Sequence, residues 1–370
     1  MNKPKVFILG KLPPPYFGPA VATQIIIHSK LNDIFELIHI DTALNKQMNS
    51  VGSFAWWKPF KGFFLYVSYF TKLFRFRPAL ILIPHGQTTA AFLKDSVYII
   101  LGRLMGGRIL LQLRGSNWRN WLKGVGKLTR WYVAKNLKLA SGVIILSEKF
   151  RYLFSESFSE NRIFIVPNGG NFKFPSRQSE EVKNSEVLFF SNLMTTKGVE
   201  DVLQAAEIIK RRNREEIHFR FAGAWSSEEF KKACIDFVVS NSINAEFFPP
   251  ASGDRKIELF ASSGIFVFPP RIPEGHPWVI VEALAAGLPI ISTDQGAISE
   301  SVIEGKNGFI VETNSPEQIA DKIIFLINNP EILQRMALES RKHYLNNFTE
   351  EKMIDRLTTV FNTILNMPKH

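Results

Sequence analysis

At 370 residues and 42.2 kDa the chain is longer than one ordinary hydrophobic core supports, so two domains of roughly 150–200 residues each are expected. A hydrophobic share of 45%, a charged share of 21% and a single cysteine, Cys234, exclude a disordered chain and a disulfide-stapled scaffold, and fit a reducing compartment. The net charge of +11 is uneven: residues 1–170 carry 23 Lys and Arg against 7 Asp and Glu, and residues 171–370 carry 22 against 27. The first half is therefore expected to meet something anionic, whether a membrane surface, a phosphorylated acceptor or nucleic acid.

The opening "MNKPKVFILG" runs straight into a core-like strand and does not resemble a signal peptide. Buried strands are then predicted at "KVFILG" (5–10), "FELIHI" (35–40), "ALILIPHG" (79–86), "RILLQL" (108–113), "GVIILS" (142–147) and "RIFIVPNG" (162–169), with helical patterns between them. The most apolar run, "VYIILGRLMGGRILLQL", is interrupted by Arg103 and Arg108 and falls short of a membrane span. A polar, Gly- and Pro-containing stretch near 171–186 reads as a linker. A second alternating series follows: "EVLFFSN" (186–192), "HFRFAG" (218–223), "AEFFPP" (245–250), "GIFVFPP" (264–270), "LPIIST" (288–293) and "GFIVE" (308–312). Two helices, about 330–346 and 349–366, close the chain. Alternating strand and helix means crossover connections and parallel sheets. The expected fold is α/β, with two doubly wound Rossmann-like domains, residues 1–170 and 187–346, facing across a cleft. Residues 347–370 are expected to return to the first domain. Ligands in such sheets bind beyond the carboxyl ends of the strands.

The segment "PEGHPWVIVEALAAGLPI" (273–290) carries the chemistry. Pro277 suits a first helical position, and Gly287 with Pro289 ends the helix. Residues three or four positions from Glu282 are Trp278, Val279, Ala285 and Ala286, so the helix has no polar face. A buried carboxylate is costly unless something pairs with it, and a sugar diol offers two hydroxyl donors to its two oxygens. Glu274 lies at the amino end of the same helix, where the amides of Trp278 and Val279 suit a phosphate.

Two glutamates separated by seven residues and followed by "ALAAGLPII" resemble the signature of the family-four retaining glycosyltransferases of GT-B fold. "VLFFSNLMTTKGVEDVLQAA", "GAISESVIEGKNGFIV", "SPEQIADKI", "VIILSE" and "IFIVPNGG" are similar to further segments of that family, of bacterial surface-polysaccharide type. The resemblance implies that Glu282 binds the ribose hydroxyls of a nucleotide-sugar donor and Glu274 the donor sugar. Lys197 would neutralise the diphosphate, a role in which a cation after a strand-ending loop is sensible in its own right. It further implies transfer with retention, no cofactor and no metal. The aspartate pair of the other large glycosyltransferase fold is missing, and no His or Cys cluster has zinc spacing.

Several positions depart from that pattern. Asn192 stands where an arginine is usual, five residues before Lys197, which makes Arg271 a candidate for the missing cation. In "KLPPPYFGPAVATQ", Gly18 would let backbone approach a phosphate, but Pro19 replaces a second glycine. Arg114, in "LLQLRGSNWRNW", occupies the place of a family histidine and is either a phosphate-binding catalytic cation or a strand-end structural residue. His85 in "IPHGQ" also ends a strand, as a donor contact or a structural group.

Two stretches mix aromatic and basic residues. In 53–78, Trp56, Phe60, Phe63, Val67, Phe70 and Phe74 form a helical stripe flanked by cations, and 117–138 repeats the mixture. Each fits either a core helix or one lying on an anionic membrane. The expected protein is thus cytoplasmic and peripheral on the inner face of the membrane, with a nucleotide-diphosphate sugar and a saccharide or lipid-linked acceptor as partners. Alternatives are a same-fold epimerase or soluble glycan synthase, and a basic nucleic-acid binder, for which no motif exists.

Overall fold

A computed structural model describes residues 3–14, 17–43, 58–175, 185–214 and 216–368, with the side chains of 58–61 excepted. The chain forms two compact units, Met1–Asn168 with Glu350–His370, and Gly169–Thr349.

In the first unit the elements run β1 (Lys5–Gly10), α1 (Gly18–His28), α2 (Leu31–Ile34), β2 (Glu36–Asp41), α3 (Lys58–Phe76), β3 (Leu80–Pro84), α4 (Thr89–Leu104), β4 (Arg108–Gln112), α5 (Trp118–Gly124), α6 (Lys127–Leu137), β5 (Gly142–Ile145) and β6 (Ile163–Ile165). All six strands are parallel, in the order β2-β1-β3-β4-β5-β6. Branched residues such as Val6, Ile8, Leu80, Leu82, Leu110 and Ile144 are buried because helices cover both faces of the sheet.

The second unit contains β7 (Glu186–Phe190), α7 (Val199–Arg211), β8 (His218–Ala222), α8 (Glu228–Ser240), β9 (Ala245–Phe248), α9 (Gly253–Ala261), β10 (Ile265–Phe268), α10 (Trp278–Ala285), β11 (Ile290–Thr293), α11 (Ile298–Ser301), β12 (Gly308–Val311), α12 (Pro316–Asn328) and α13 (Pro330–Asn347). Its sheet is also parallel, in the order β12-β11-β10-β7-β8-β9. A final helix, α14 (Glu350–Asn366), belongs to the first unit. There Met353, Ile354, Leu357, Val360, Phe361 and Ile364 pack with Val6, Ile8, Leu82, Leu110 and Ile144.

The strand order decides where chemistry can sit. In the second unit the chain builds outward from β7 through β8 to β9, then restarts on the other side of β7 with β10. The loops after β7 and β10 therefore diverge above the sheet and leave a crevice at their carboxyl ends. In the first unit the same reversal falls between β1 and β3.

The two aromatic–basic stretches fold differently from each other. α3 buries Tyr69 and Leu73 but leaves Phe63, Phe64, Val67, Phe70 and Phe74 exposed. Trp56 and the side chain of Phe60 lie outside the described residues. The stretch 117–138 is two helices rather than one, parted at Val125 and Gly126. It buries Trp118 and exposes Leu128 and Trp131. Residues 171–175, within the stretch read as a linker, are joined to the second unit, where Phe172 and Phe174 pack against its core. Residues 176–184 lie outside the described residues.

Candidate functional site

Of the residues singled out in the sequence, Asn192, Lys197, Arg271, Glu274, Trp278, Val279 and Glu282 lie in the second unit, in or after the loops that follow β7 and β10. Thr195–Lys197 form one tight turn after β7, and Gly198 (φ +79°) starts α7 in a left-handed conformation. A Cβ at Gly198 would lie 2.1 Å from the Pro269 carbonyl oxygen, so only glycine lets the loop after β7 press against the loop after β10. The Arg271 amide donates to the Thr196 carbonyl at 3.0 Å and ties the same two loops. Gly296 (φ +73°) abuts Glu274 on the other side, where an added Cβ would be 1.7 Å from the Glu274 carbonyl oxygen. Glu274 is thus pinned between the loops after β7 and β11. Its Oε1 accepts from Lys197 Nζ, and both side chains remain about one-fifth exposed.

Glu274 leads into α10. Pro277 is the N-cap of this helix rather than its first residue. The first bonds of the helix run from the amides of Ile280 (3.2 Å) and Val281 (3.4 Å) to the Pro277 carbonyl. The amides of Trp278 and Val279 precede these bonds and have no intrahelical acceptor. One turn further in, Glu282 is 5% exposed. Burial pushes its carboxyl above the usual carboxylate range. The apolar surroundings expected from sequence are present, but so is a partner the sequence did not indicate. Lys256 of α9 donates to Glu282 Oε1 at 2.7 Å and opposes the effect of burial. Oε2 is buried without a hydrogen-bond partner, which costs about 1–3 kcal/mol in a carboxylate left that way.

Arg271 does not fit the expectation of a second cation for a ligand. Its guanidinium grips Asp201 of α7 at 2.9 and 2.7 Å and reaches Glu200 at 3.4 Å. Two carboxylates already engage its fork, so Arg271 braces the loops that present Lys197 and Glu274. Asn192, on the loop after β7, is exposed.

Gly18, His85 and Arg114 lie in the first unit. Gly18 is the first residue of α1, and Pro19 follows it within the first turn. His85 and Arg114 follow the adjacent strands β3 and β4, and the His85 amide donates to the Gln112 carbonyl at 3.1 Å. His85 is buried, and its Nε2 has no hydrogen-bond partner. Its ring is walled in by Trp118 (4.7 Å between centroids), Phe154 (5.9 Å) and Phe92 (6.3 Å). Desolvation lowers its pKa to about 4, so the imidazole is neutral at physiological pH. Arg114 keeps its charge although burial lowers its pKa to about 10, and its Nε has no partner. Gln87 Oε1 and Gln112 Oε1 beside these loops are also buried and unpartnered. Neither glutamine was singled out in the sequence, because an amide at a strand end looks like any polar turn residue.

Two doubly wound parallel sheets, each with its helix-flanked crevice, define the GT-B class of glycosyltransferase fold. Residues 171–343, which nearly fill the second unit, match the family described as glycosyl transferases group 1. CapM, a capsular polysaccharide biosynthesis glycosyltransferase of Staphylococcus aureus, is 24% identical over 241 residues, 61% of this chain and 62% of its own length. The chain spans about half to three-fifths of the length of several curated relatives it matches. The crystal structure of a glycosyltransferase from Rickettsia africae superposes with a TM-score of 0.77 at 15% identity, covering 100% of both chains. That of Anabaena HepE in complex with UDP gives 0.72 at 16% identity, covering 97% of this chain and 100% of the other.

Proposed function

We propose that the chain moves a sugar from a nucleotide-diphosphate donor to a saccharide or lipid-linked acceptor, with retention of anomeric configuration, in the synthesis of a bacterial surface polysaccharide. The observation that carries this reading is the meeting of Lys197 and Glu274 at the carboxyl ends of β7 and β10, beside the open amides of α10. The family match and the UDP held by HepE point the same way.

The chemistry follows from donor and acceptor counts. An ammonium has three N–H donors, so Lys197 can keep Glu274 and still donate to a phosphate oxygen. The amides of Trp278 and Val279 and the positive helix end add uncharged donors for the same anion. Glu274 retains an oxygen for a hydroxyl of the donor sugar, and Glu282 Oε2 is the acceptor awaiting a ribose hydroxyl. As the bond from the anomeric carbon to the phosphate oxygen breaks, charge grows on the diphosphate, where Lys197 and the amides stabilise it without a metal. The acceptor hydroxyl forms the new bond from the leaving-group side and passes its proton to the departing phosphate oxygen. Arg114 is assigned to a phosphate of the donor or acceptor.

The acceptor partner is placed at an anionic membrane surface on the inner face of the cell membrane. Between Asp41 and Glu148 the sequence has 16 Lys and Arg and one acid, Asp95, and that acid is buried. α3 adds its exposed aromatic stripe. Among the described residues no helix is long and apolar enough to cross a membrane.

The test is a thermal-shift screen of uridine, guanosine and adenosine diphosphate sugars, followed by transfer assays in EDTA with the best binder. Lys197→Ala and Glu274→Ala are expected to lower kcat by about 10²–10³ while the folded state persists. Turnover near that of the unmodified protein in both variants would remove this site from the reaction.

A further inference from the structure

Lys256 projects from α9 onto a carboxylate of another helix, α10. Its ammonium has two neighbours: Glu282 Oε1 at 2.7 Å, and the face of the Phe190 ring, 5.7 Å from the centroid. Phe190 ends β7 and packs at a tilt against Phe260 of α9, with 5.2 Å between ring centroids. The Glu282 side chain is 7% exposed and that of Lys256 is 26% exposed. The pair therefore has one wet end, and the carboxylate is at the dry one.

Among the described residues, Lys256 is the one charge that acts on the ionisation of Glu282. The groups on the elements packed against α10 are engaged elsewhere. Arg341 of α13 donates to the Ala285 carbonyl, and Glu339 faces Lys306 and Lys342. His343 meets the Glu300 carbonyl of α11, and His276 meets Ser301. Without Lys256, Glu282 would be a buried acid with nothing to keep it charged. A protonated carboxyl has a hydroxyl of its own to place and one acceptor fewer to offer.

We propose that Lys256 is a positioning residue for the nucleotide: by taking Oε1 it holds Glu282 as a carboxylate and leaves Oε2 as the acceptor for a ligand hydroxyl. This rests on the reading of Glu282 as the contact to the ribose diol. Lys256 itself touches no ligand atom in this account. Its role is to set the affinity for ribose hydroxyls through the state of its partner, while the phosphate end is left to Lys197.

The experiment uses UDP, GDP and ADP as probes in calorimetric titrations of the full chain, and carries forward the tightest with its 2′,3′-dideoxy counterpart. The unmodified protein is expected to bind the dideoxy compound about tenfold or more weakly, since two hydroxyl contacts to a charged group are lost. Lys256→Gln keeps a hydrogen-bond donor and removes the charge. It is expected to weaken the parent nucleotide about tenfold at pH 6.5 relative to the unmodified protein, and to leave the dideoxy compound unchanged. That ratio should shrink as pH rises and Glu282 ionises unaided. Lys256→Arg, which restores a cation, should restore affinity at pH 6.5. Equal loss of both nucleotides, a loss that does not change with pH, or full affinity in Lys256→Gln would each overturn the proposal. If Lys256→Gln does not fold, Lys256→Arg decides, and a weak, pH-independent affinity there counts against it. A dideoxy compound bound as tightly as its parent by the unmodified protein would instead sink the ribose assignment of Glu282. Failure to bind all three nucleotides would sink the donor reading, and this proposal with it.

Discussion

His85 sits where the end of β3 meets three aromatic rings, and this changes what the residue can do. In an unfolded chain it titrates near 6.5, whereas in the folded protein its pKa is about 4. Its protonated form is thus favoured by unfolding. Stability from this group is complete above pH 6.5 and is lost as pH falls towards 4, by up to about 3 kcal/mol. Replacing His85 with leucine is expected to flatten the dependence of thermal stability on pH between 6.5 and 4. An unchanged slope in that interval would show that the titration lies elsewhere. The contrast with Glu282 shows what a sequence tells at this scale. Four apolar neighbours at helical spacing announced a buried carboxylate, because helix geometry is local. Lys256, 26 positions away on another helix, had no local mark, and only tertiary packing brings its ammonium to 2.7 Å. Arg271 misled for the same reason, since nothing near "PPRIPEG" reveals that Asp201 has engaged its guanidinium.

Elements were easier to foresee than their partners. Runs such as "LILIP" and "IFVF" are buried on both faces by helices, so uninterrupted branched and aromatic residues mark these central strands, whereas "ELIHID" and "AEFF" at the sheet edges carry charges and are partly exposed. The parting of α5 from α6 went unread, although Gly124 and Gly126 flank it. α3 is the element whose composition exceeds the needs of the core. Tyr69 and Leu73 bury it against the sheet, whereas Phe63, Val67, Phe70 and Phe74 form a separate exposed stripe. Insertion of such a stripe into a bilayer interface gains roughly 1.5–3 kcal/mol for each fully buried side chain, and each nearby cation about 1 kcal/mol at an anionic surface. A Phe63→Ser, Phe70→Ser double variant is expected to stop co-sedimenting with phosphatidylglycerol vesicles while its melting temperature stays within a few degrees. Unchanged sedimentation would place the membrane contact elsewhere or remove it.

Across the whole molecule the chain divides into a contiguous second unit and a first unit made from two separated stretches. Six buried side chains of α14, at roughly 1.5–3 kcal/mol each, contribute on the order of 10 kcal/mol to the first unit, comparable with the entire stability of a typical domain. A chain ending at residue 349 is therefore expected to lose amide-exchange protection in β1, β3 and β4 while β7, β10 and β11 keep theirs. Equal protection of both sheets would show that α14 only decorates the surface.

The same division orders events during synthesis. A ribosome delivers all of Gly169–Thr349 before it reaches Glu350, so the later-made unit holds its full set of residues first. At about 5–20 residues per second, the nascent first sheet waits roughly 10–40 s with Ile8, Leu82 and Leu110 unroofed. That greasy face stays in water until Leu357 and Phe361 arrive to cover it.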